Sequence, residues 1–339
     1  MKEDYKKLFD SLKQEKQVEL NTDSRVLLID SLNMFMRSFA VIQHTNKSLT
    51  PIGGLTGFLR SLGSTINLVR PTRAILVFDG KGSSTNKRYI YPEYKANRGI
   101  RRITNWDHYE SQEEESESMT NQLVRLIEYL KCLPVDLVSI DKVEADDVIG
   151  HLAKRYGKEV TIVSSDRDYL QLVDDRITVF SPTKKIFYNK HRVIDEYGVH
   201  PNNFLIQKML LGDTGDNVPG VNGIGQKTLL KEFPMLANET PVALEEILEV
   251  CEAGNKRVHE SVLNFKQQLK INQLLMDLNN PNIPDDDTLA LENMLQEPYK
   301  QFDSQEFVKL YNEDDLGASI KDPKSWVYNV FYELSKYKI

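Results

Sequence analysis

Val138–Leu172 reads VSIDKVEADDVIGHLAKRYGKEVTIVSSDRDYLQL. An apolar run, an amphipathic stretch of helical period and a second apolar run follow one another, the pattern of a βαβ unit. Glu144, Asp146 and Asp147 open the helix, and Asp166 and Asp168 follow the second run. In open α/β sheets ligands bind at the carboxyl edge of the strands. Five carboxylates on that edge repel one another and need a cation to stay ionised together.

The same pattern recurs on both sides of this unit. Arg25–Asp30 (RVLLID) and Ala74–Asp79 (AILVFD) read as buried strands, each ending in an acid. Ser31–Val41 and Pro51–Val69 read as helices between them. Val135–Ile140 and Val160–Ser165 are further strands, and Ile177–Phe180 with Ile186–Tyr188 form an edge pair around Pro182 and Thr183. Alternating strands and helices predict an α/β fold with a twisted, mostly parallel sheet flanked by helices.

Residues 1–23 predict a charged helical extension outside the core. Gly80–Ser118 is a long polar connection, the kind that is usually functional or mobile, and helix resumes over Met119–Cys132. After about residue 190 the strand signal fades. Helices are expected over 201–211 and 225–233 around a Gly-rich turn, with one or two over 240–279. Pro281–Asp287 reads as a turn, and the tail is helical and aromatic (Trp326, Tyr328, Phe331, Tyr332, Tyr337). These signals divide the chain into a core at 24–235 and a C-terminal helical domain at 236–339.

Composition narrows the function classes. The 339 residues are 40% hydrophobic, and no apolar run approaches the roughly 18–20 residues of a membrane span. The charged start lacks the apolar segment of a signal peptide, so a cytoplasmic monomer without a membrane partner is expected. Cys132 and Cys251 match no metal-ligand spacing and read as idle thiols. The net charge of −7 speaks against a broad basic footprint, but charge is unevenly spread. Between Gly80 and Thr104 stand Lys81, Lys87, Arg88, Lys95, Arg98, Arg101 and Arg102 against the single acid Glu93. An acidic run with Asp107, Glu110, Glu113, Glu114, Glu115 and Glu117 follows.

Each acid alone has a local explanation. Asp141 with Glu144 fits a capping box, Asp166 could cap the next helix, and Asp213 and Asp216 fit Asx turns. Together they converge. Strand ends from different units fall on one edge, and hard oxygen ligands without His or thiolate suit Mg²⁺ or Mn²⁺. Two such ions about 4 Å apart can activate water and stabilise the leaving oxygen of a phosphodiester. Glu144 and Asp146, two positions apart, share a site only if Glu144 lies at an irregular helix start or one of them acts through water. An EF-hand is excluded, because Gly215 and Ile224 occupy ligand positions of such a loop.

Val218–Phe233 (VPGVNGIGQKTLLKEF) places Gly220, Gly223 and Gly225 ahead of a helix that carries Lys227. Such a helix start suits a phosphate, though it also suits a plain helix–helix connector.

The motifs VLLIDSLN, LVFDG, VEADDVIG, VSSDRDYLQL and GDTGDNVPGVNGIGQKT, in this order, resemble the 5′-nuclease or flap-endonuclease superfamily over about residues 25–235. Length, the divergent arch region and the helical tail make the chain similar to the phage branch typified by T-even phage ribonuclease H. The resemblance implies a PIN-like core, an arch at 80–118 and a helix–three-turn–helix at 205–233. It implies a metal-dependent 5′-to-3′ exonuclease and flap endonuclease that removes RNA primers and 5′ flaps in replication, leaving 5′-phosphates and 3′-hydroxyls.

By motif, Asp30, Asp79, Glu144 and Asp146 surround a first Mg²⁺, with Asp147 as a further acid of the group. Asp166 lies between the sites. Asp168, Asp213 and Asp216 surround a second ion, and Mn²⁺ can substitute. Lys95, Arg88 and Tyr94 are the catalytic candidates of the arch. Lys87, Arg98, Arg101, Arg102, Gly220, Gly223, Gly225 and Lys227 are expected to hold nucleic acid, with K⁺ at the three-turn element. Expected partners are DNA and RNA–DNA duplexes with 5′ ends or flaps, a sliding clamp and a single-strand-binding protein, the last two through the chain's termini. A catalytically idle nucleic-acid-binding replisome adaptor on the same fold is the alternative, but binding alone would not require such mutually repelling acids.

Overall fold

Arg25–Asp30 (β1) and Arg73–Asp79 (β2) are runs of apolar side chains, and both faces of each are covered, as central strands of a parallel sheet require. The computed structural model describes residues 24–99, 104, 108–296 and 302–337. The extension expected at 1–23, together with Arg101, Arg102 and Asp107, lies outside them. Asp136–Ile140 (β3), Glu159–Val163 (β4), Ile177–Ser181 (β5) and Ile186–Tyr188 (β6) complete a six-stranded sheet of order β3-β2-β1-β4-β5-β6. Neighbours from β3 to β5 run parallel, and β6 pairs antiparallel with β5.

The chain lays β2 and β3 on one side of β1 and then returns to place β4 on the other. This reversal between β1 and β4 is where the crevice of an open sheet forms. The register puts the strand ends on one edge, with β2 and β3 reaching slightly beyond β1: Ile29 lies opposite Val163, Asp30 opposite Val77, and Asp79 opposite Ile140.

Helices Ser31–Val41 (α1) and Gly53–Val69 (α2) cover one face, against Leu27, Ile29 and Leu76. The polar connection contains the short helix Thr85–Ile90 (α3). Helix α4 spans Gln112–Lys131 and begins earlier than the expected Met119. Ser111 caps it by accepting from the Glu114 N–H at 3.1 Å, and Glu113–Glu115 fill its first turn, where carboxylates complement the helix dipole. The acidic run is therefore largely a helix start. Ala145–Arg155 (α5) covers the other face against Val26, Leu28, Ile75 and Val77.

Lys190–Tyr197 (α6) leads into Phe204–Leu211 (α7) and Gln226–Glu232 (α8), which flank the Gly-rich turn. Leu244–Ala253 (α9), Arg257–Asn264 (α10) and Lys266–Met276 (α11) follow. Three helices stand where one or two were expected, because the chain leaves the helical path at Gly254 and Phe265. Met209, Leu229, Phe233, Ile247 and Leu269 give this unit its own apolar cluster.

Asp285–Gln296 (α12) starts inside the expected turn, and Ser304–Glu313 (α13) and Pro323–Ser335 (α14) end the chain. These helices return to the sheet: Leu291 and Leu295 join the α5 side, while Phe307, Leu310 and Phe331 join the α2 side. A boundary near 235 thus cuts across shared apolar clusters. Of the aromatic tail, Phe331 is buried, and Tyr328 and Tyr332 face outward. No helix among the described residues is long and apolar enough to cross a membrane.

Candidate active site

The strand ends bring the predicted acids to one edge. Asp30 ends β1 and caps α1, accepting from the Asn33 N–H at 3.1 Å. Its Oδ2 accepts from Ser164 Oγ at 3.0 Å and from Tyr169 Oη at 3.2 Å. Burial pushes the Asp30 carboxyl up to about 6. Asp79 ends β2 and accepts from the Ala145 N–H at 2.8 Å, tying that strand to the start of α5.

Glu144 sits at the extended N-cap of α5 (φ −78°, ψ 149°), outside the regular helix, so its offset from Asp146 does not separate them. Oxygens of Glu144, Asp146 and Asp147 lie within 4.8 Å of one another. The capping box with Asp141 does not form. Glu144 makes no cap bond, and Asp141 accepts from the Lys81 N–H at 3.2 Å. The Asp146 charge raises the carboxyls of Asp30, Asp79 and Asp166 beyond the effect of burial, which ties both ends of the cluster to it.

The second group combines local and long-range roles. Asp166 Oδ1 accepts from the Asp168 N–H at 2.9 Å, and Asp213 Oδ1 accepts from the N–H groups of Gly215 and Asp216 at 2.8 and 3.2 Å. The helix-start reading of Asp166 and the Asx-turn reading of Asp213 therefore hold, yet each uses one oxygen of the acid and leaves the other; Asp216 instead turns its carboxylate toward Tyr94 and Arg98. Asp213 Oδ2 accepts from Lys208 Nζ at 2.7 Å, and the same ammonium pairs with Asp168.

Cations offset the repulsion unevenly. Lys87 Nζ is 3.0 Å from Glu144 and Asp147 and 3.5 Å from Asp146. Lys95 pairs with Glu144, and Arg98 with Asp216. Burial would raise the Glu144 carboxyl, but Lys87 and Lys95 outweigh it and hold it at about 2. Burial lifts Asp147 and Asp168 to about 7 against the pull of their lysines. Tyr94, only 2% exposed, sets its hydroxyl 2.8 Å from Glu144 and 3.1 Å from Asp216. Arg88 Nε donates to the Tyr94 carbonyl at 3.1 Å.

The glycine turn closes against this edge. Asp213 and Val218 exchange two backbone hydrogen bonds of 2.8 Å each. A Cβ on Gly220 would come within 2.1 Å of the Leu211 carbonyl oxygen, so only glycine permits the approach. The Lys95 N–H donates to the Asp216 carbonyl at 2.8 Å, and Asn217 Nδ2 to the Glu93 carbonyl at 2.8 Å, docking the base of the arch on the turn. Gly223, Gly225 and Lys227 are exposed beyond it.

An all-oxygen donor set drawn from strand ends, a helix start and a turn fits hard divalent cations. Residues 25–198 match the family model described as the 5′-3′ exonuclease N-terminal resolvase-like domain. A Bacillus subtilis 5′-3′ exonuclease is 32% identical over 270 residues, 76% of this chain and 80% of the relative. The chain belongs to the 5′-3′ exonuclease family. An Aquifex aeolicus 5′-3′ exonuclease is 32% identical over 66% of this chain and 78% of its own. Among solved structures, a bacteriophage T5 flap endonuclease in a pseudo-enzyme-product complex with DNA and metal ions shares the fold, with TM-score 0.61 and 21% identity, covering 86% of this chain and all of the other.

Lys208 is the residue of this 5′-3′ exonuclease site that sequence reasoning missed. Its signal is present: it is the one charge in the apolar helix FLIQKMLL, and a lysine drawn into apolar surroundings implies a paired partner. Its partner Asp168 is forty positions away, a pairing that no local spacing reveals.

Proposed function

We propose that this 5′-3′ exonuclease removes RNA primers and 5′ flaps from DNA by two-metal phosphodiester hydrolysis with Mg²⁺, Mn²⁺ substituting. One observation carries the reading: acids from β1, β2, the start of α5, the segment after β4 and the glycine turn converge on a single edge. Asp30, Asp79, Glu144, Asp146 and Asp147 would hold one ion, Asp168, Asp213 and Asp216 the other, and Asp166 would stand between them. When bound, the ions supply water activation and charge stabilisation at the scissile phosphate.

The chain's own cations complete the site. Lys95 reaches the scissile phosphate from the arch base and offsets charge developing there. Arg88 and Tyr94 position this base, Arg88 through the Tyr94 carbonyl and Tyr94 through Glu144. Arg98 guides the 5′ strand, with Arg101 and Arg102 as further candidates, and the helix start at Gly223–Lys227 grips duplex backbone, with K⁺ at its carbonyls. Clamp and single-strand-binding partners would meet Tyr328 and Tyr332, stacked at 4.6 Å on the outer face of α14. Removing residues 320–339 would also take Phe331 out of the core, so Tyr328→Ser with Tyr332→Ser is the sound probe of docking.

The test is cleavage of 5′-labelled flap, nicked and RNA–DNA substrates in Mg²⁺ and in EDTA. Cutting from the 5′ side in Mg²⁺ alone is expected, with turnover abolished but binding retained in Asp79→Ala and Asp146→Ala. No cutting of any substrate in Mg²⁺ would leave the idle-adaptor alternative.

A further inference from the structure

Lys87, buried, and Lys208, with 12% of its side chain exposed, both stand among carboxylates assigned to metal binding. Lys87, on α3, is 7% exposed and lies 3.0, 3.5 and 3.0 Å from Glu144, Asp146 and Asp147. These are the same side chains whose oxygens cluster within 4.8 Å. Lys208, on α7, bridges Asp168 and Asp213. The two ammoniums divide the acids as the two metal groups divide them. Lys95 differs, pairing with Glu144 and standing 3.9 Å from Asp216.

An ammonium has three donors, and Lys87 directs its own toward three carboxylates. A Mg²⁺ ion takes carboxylate oxygens at about 2.0–2.1 Å. The same oxygens cannot serve it and a nearby ammonium without like-charge repulsion, which is weakly screened in a buried site.

We propose that Lys87 and Lys208 are built-in competitors of the two divalent ions, so that metal uptake at each group is an exchange of cations. The inference rests on the two-metal nuclease reading. It assigns each lysine a purpose a plain ion pair lacks. Lys87 holds the start of α5 against the arch base, and Lys208 holds the segment after β4 against the turn. Each also sets how tightly its group takes a metal.

The experiment is Mg²⁺ titration calorimetry on the full chain without nucleic acid, for wild type, Lys87→Met and Lys208→Met, with melting curves in EDTA and in saturating Mg²⁺. Methionine keeps the apolar stem and removes the charge. Each substitution should tighten Mg²⁺ binding at one group about tenfold or more. It should also lower the melting temperature in EDTA and widen the Mg²⁺-induced rise. Lysines that are merely structural would lower melting under both conditions and leave Mg²⁺ affinity unchanged or weaker, which overturns the proposal. A variant unfolded in EDTA but folded by Mg²⁺ supports it. One unfolded in both is replaced by Lys87→Gln or Lys208→Gln and read the same way. A wild-type chain that binds no Mg²⁺ sinks the nuclease reading and this proposal with it. A chain that binds Mg²⁺ and cuts DNA, with affinity unchanged in both variants, sinks only the exchange.

Discussion

Tyr94 Oη stands 2.8 Å from Glu144 Oε2, joining the base of the arch to the first acid group. The same oxygen is 3.1 Å from Asp216, but one hydroxyl hydrogen is donated fully to only one acceptor, and Glu144 is the nearer. Burial, with the charge of Glu144, raises the phenol far above its ordinary range, so it remains a donor. The ring is too buried to stack on a strand. Tyr94→Phe should therefore lower kcat about tenfold, the loss of about one hydrogen bond to a charged group, with KM nearly unchanged and half-activation requiring more Mg²⁺. Steady-state cleavage over a Mg²⁺ series checks this; a wild-type kcat at every concentration would deny the phenol a positioning role.

Stability should depend on pH with a defined sign. Asp30 at about 6 and Asp147 and Asp168 at about 7 exceed the roughly 3.9 of an unfolded aspartate. The folded chain keeps protons that the unfolded chain releases, so their stabilising effect is full below about pH 4 and is lost as pH rises through 6 to 7. Glu144, held at about 2, acts oppositely and loses its contribution only as pH falls toward that value. In EDTA the melting temperature should fall between about pH 5 and pH 8, and the rise on adding Mg²⁺ should be larger at about pH 8. Calorimetric melts at both pH values decide it, and an equal Mg²⁺ effect at both would count against the clustered acids.

Lys95 carries an unusual backbone, with φ at +56°, anchored by its N–H on the Asp216 carbonyl. That anchor fixes where the ammonium leaves the arch base. Lys95→Ala should cost on the order of 10²–10³ in single-turnover rate, as for a lost electrostatic stabiliser, while substrate binding falls much less. Quench-flow cleavage of a labelled flap measures this, and a fully active variant would remove Lys95 from the chemistry.

The acids and the sheet were legible because both follow short-range rules. Asp30 and Asp79 end apolar runs of strand length, and parallel packing brings such ends together whatever lies between. Glu144 and Asp146 carried a visible conflict of helical phase, which the extended backbone at Glu144 resolves. Tertiary contacts were not legible. Lys87 sits in a basic stretch that reads as a nucleic-acid contact, but α3 turns it inward onto Glu144 and Asp147. Phe331 belongs to a tail whose aromatics suggest docking, yet it fills the core beside α2. The three helices between 244 and 276 blur into fewer because Phe265 ends one and starts the next without a proline or glycine.

The turn's rigidity depends on a residue outside it. Asn272, fully buried on α11, donates its amide to the Met209 carbonyl at 2.9 Å and the Pro219 carbonyl at 2.8 Å. It thereby clamps α7 to the turn between Asp213 and Gly220. Asn272→Leu keeps the volume but leaves those carbonyls without this donor, at a cost of about 1–3 kcal/mol for a buried unsatisfied group. For a chain of 339 residues that corresponds to a melting temperature lower by about 1–4 °C, from an unfolding entropy of about 2 cal/mol/K per residue. Because Gly223, Gly225 and Lys227 continue from the same turn, duplex affinity measured by fluorescence anisotropy should weaken as well, while single-turnover cleavage at saturating substrate changes less. A lower melting temperature with wild-type duplex affinity would show that α11 supports the fold without setting the grip on DNA.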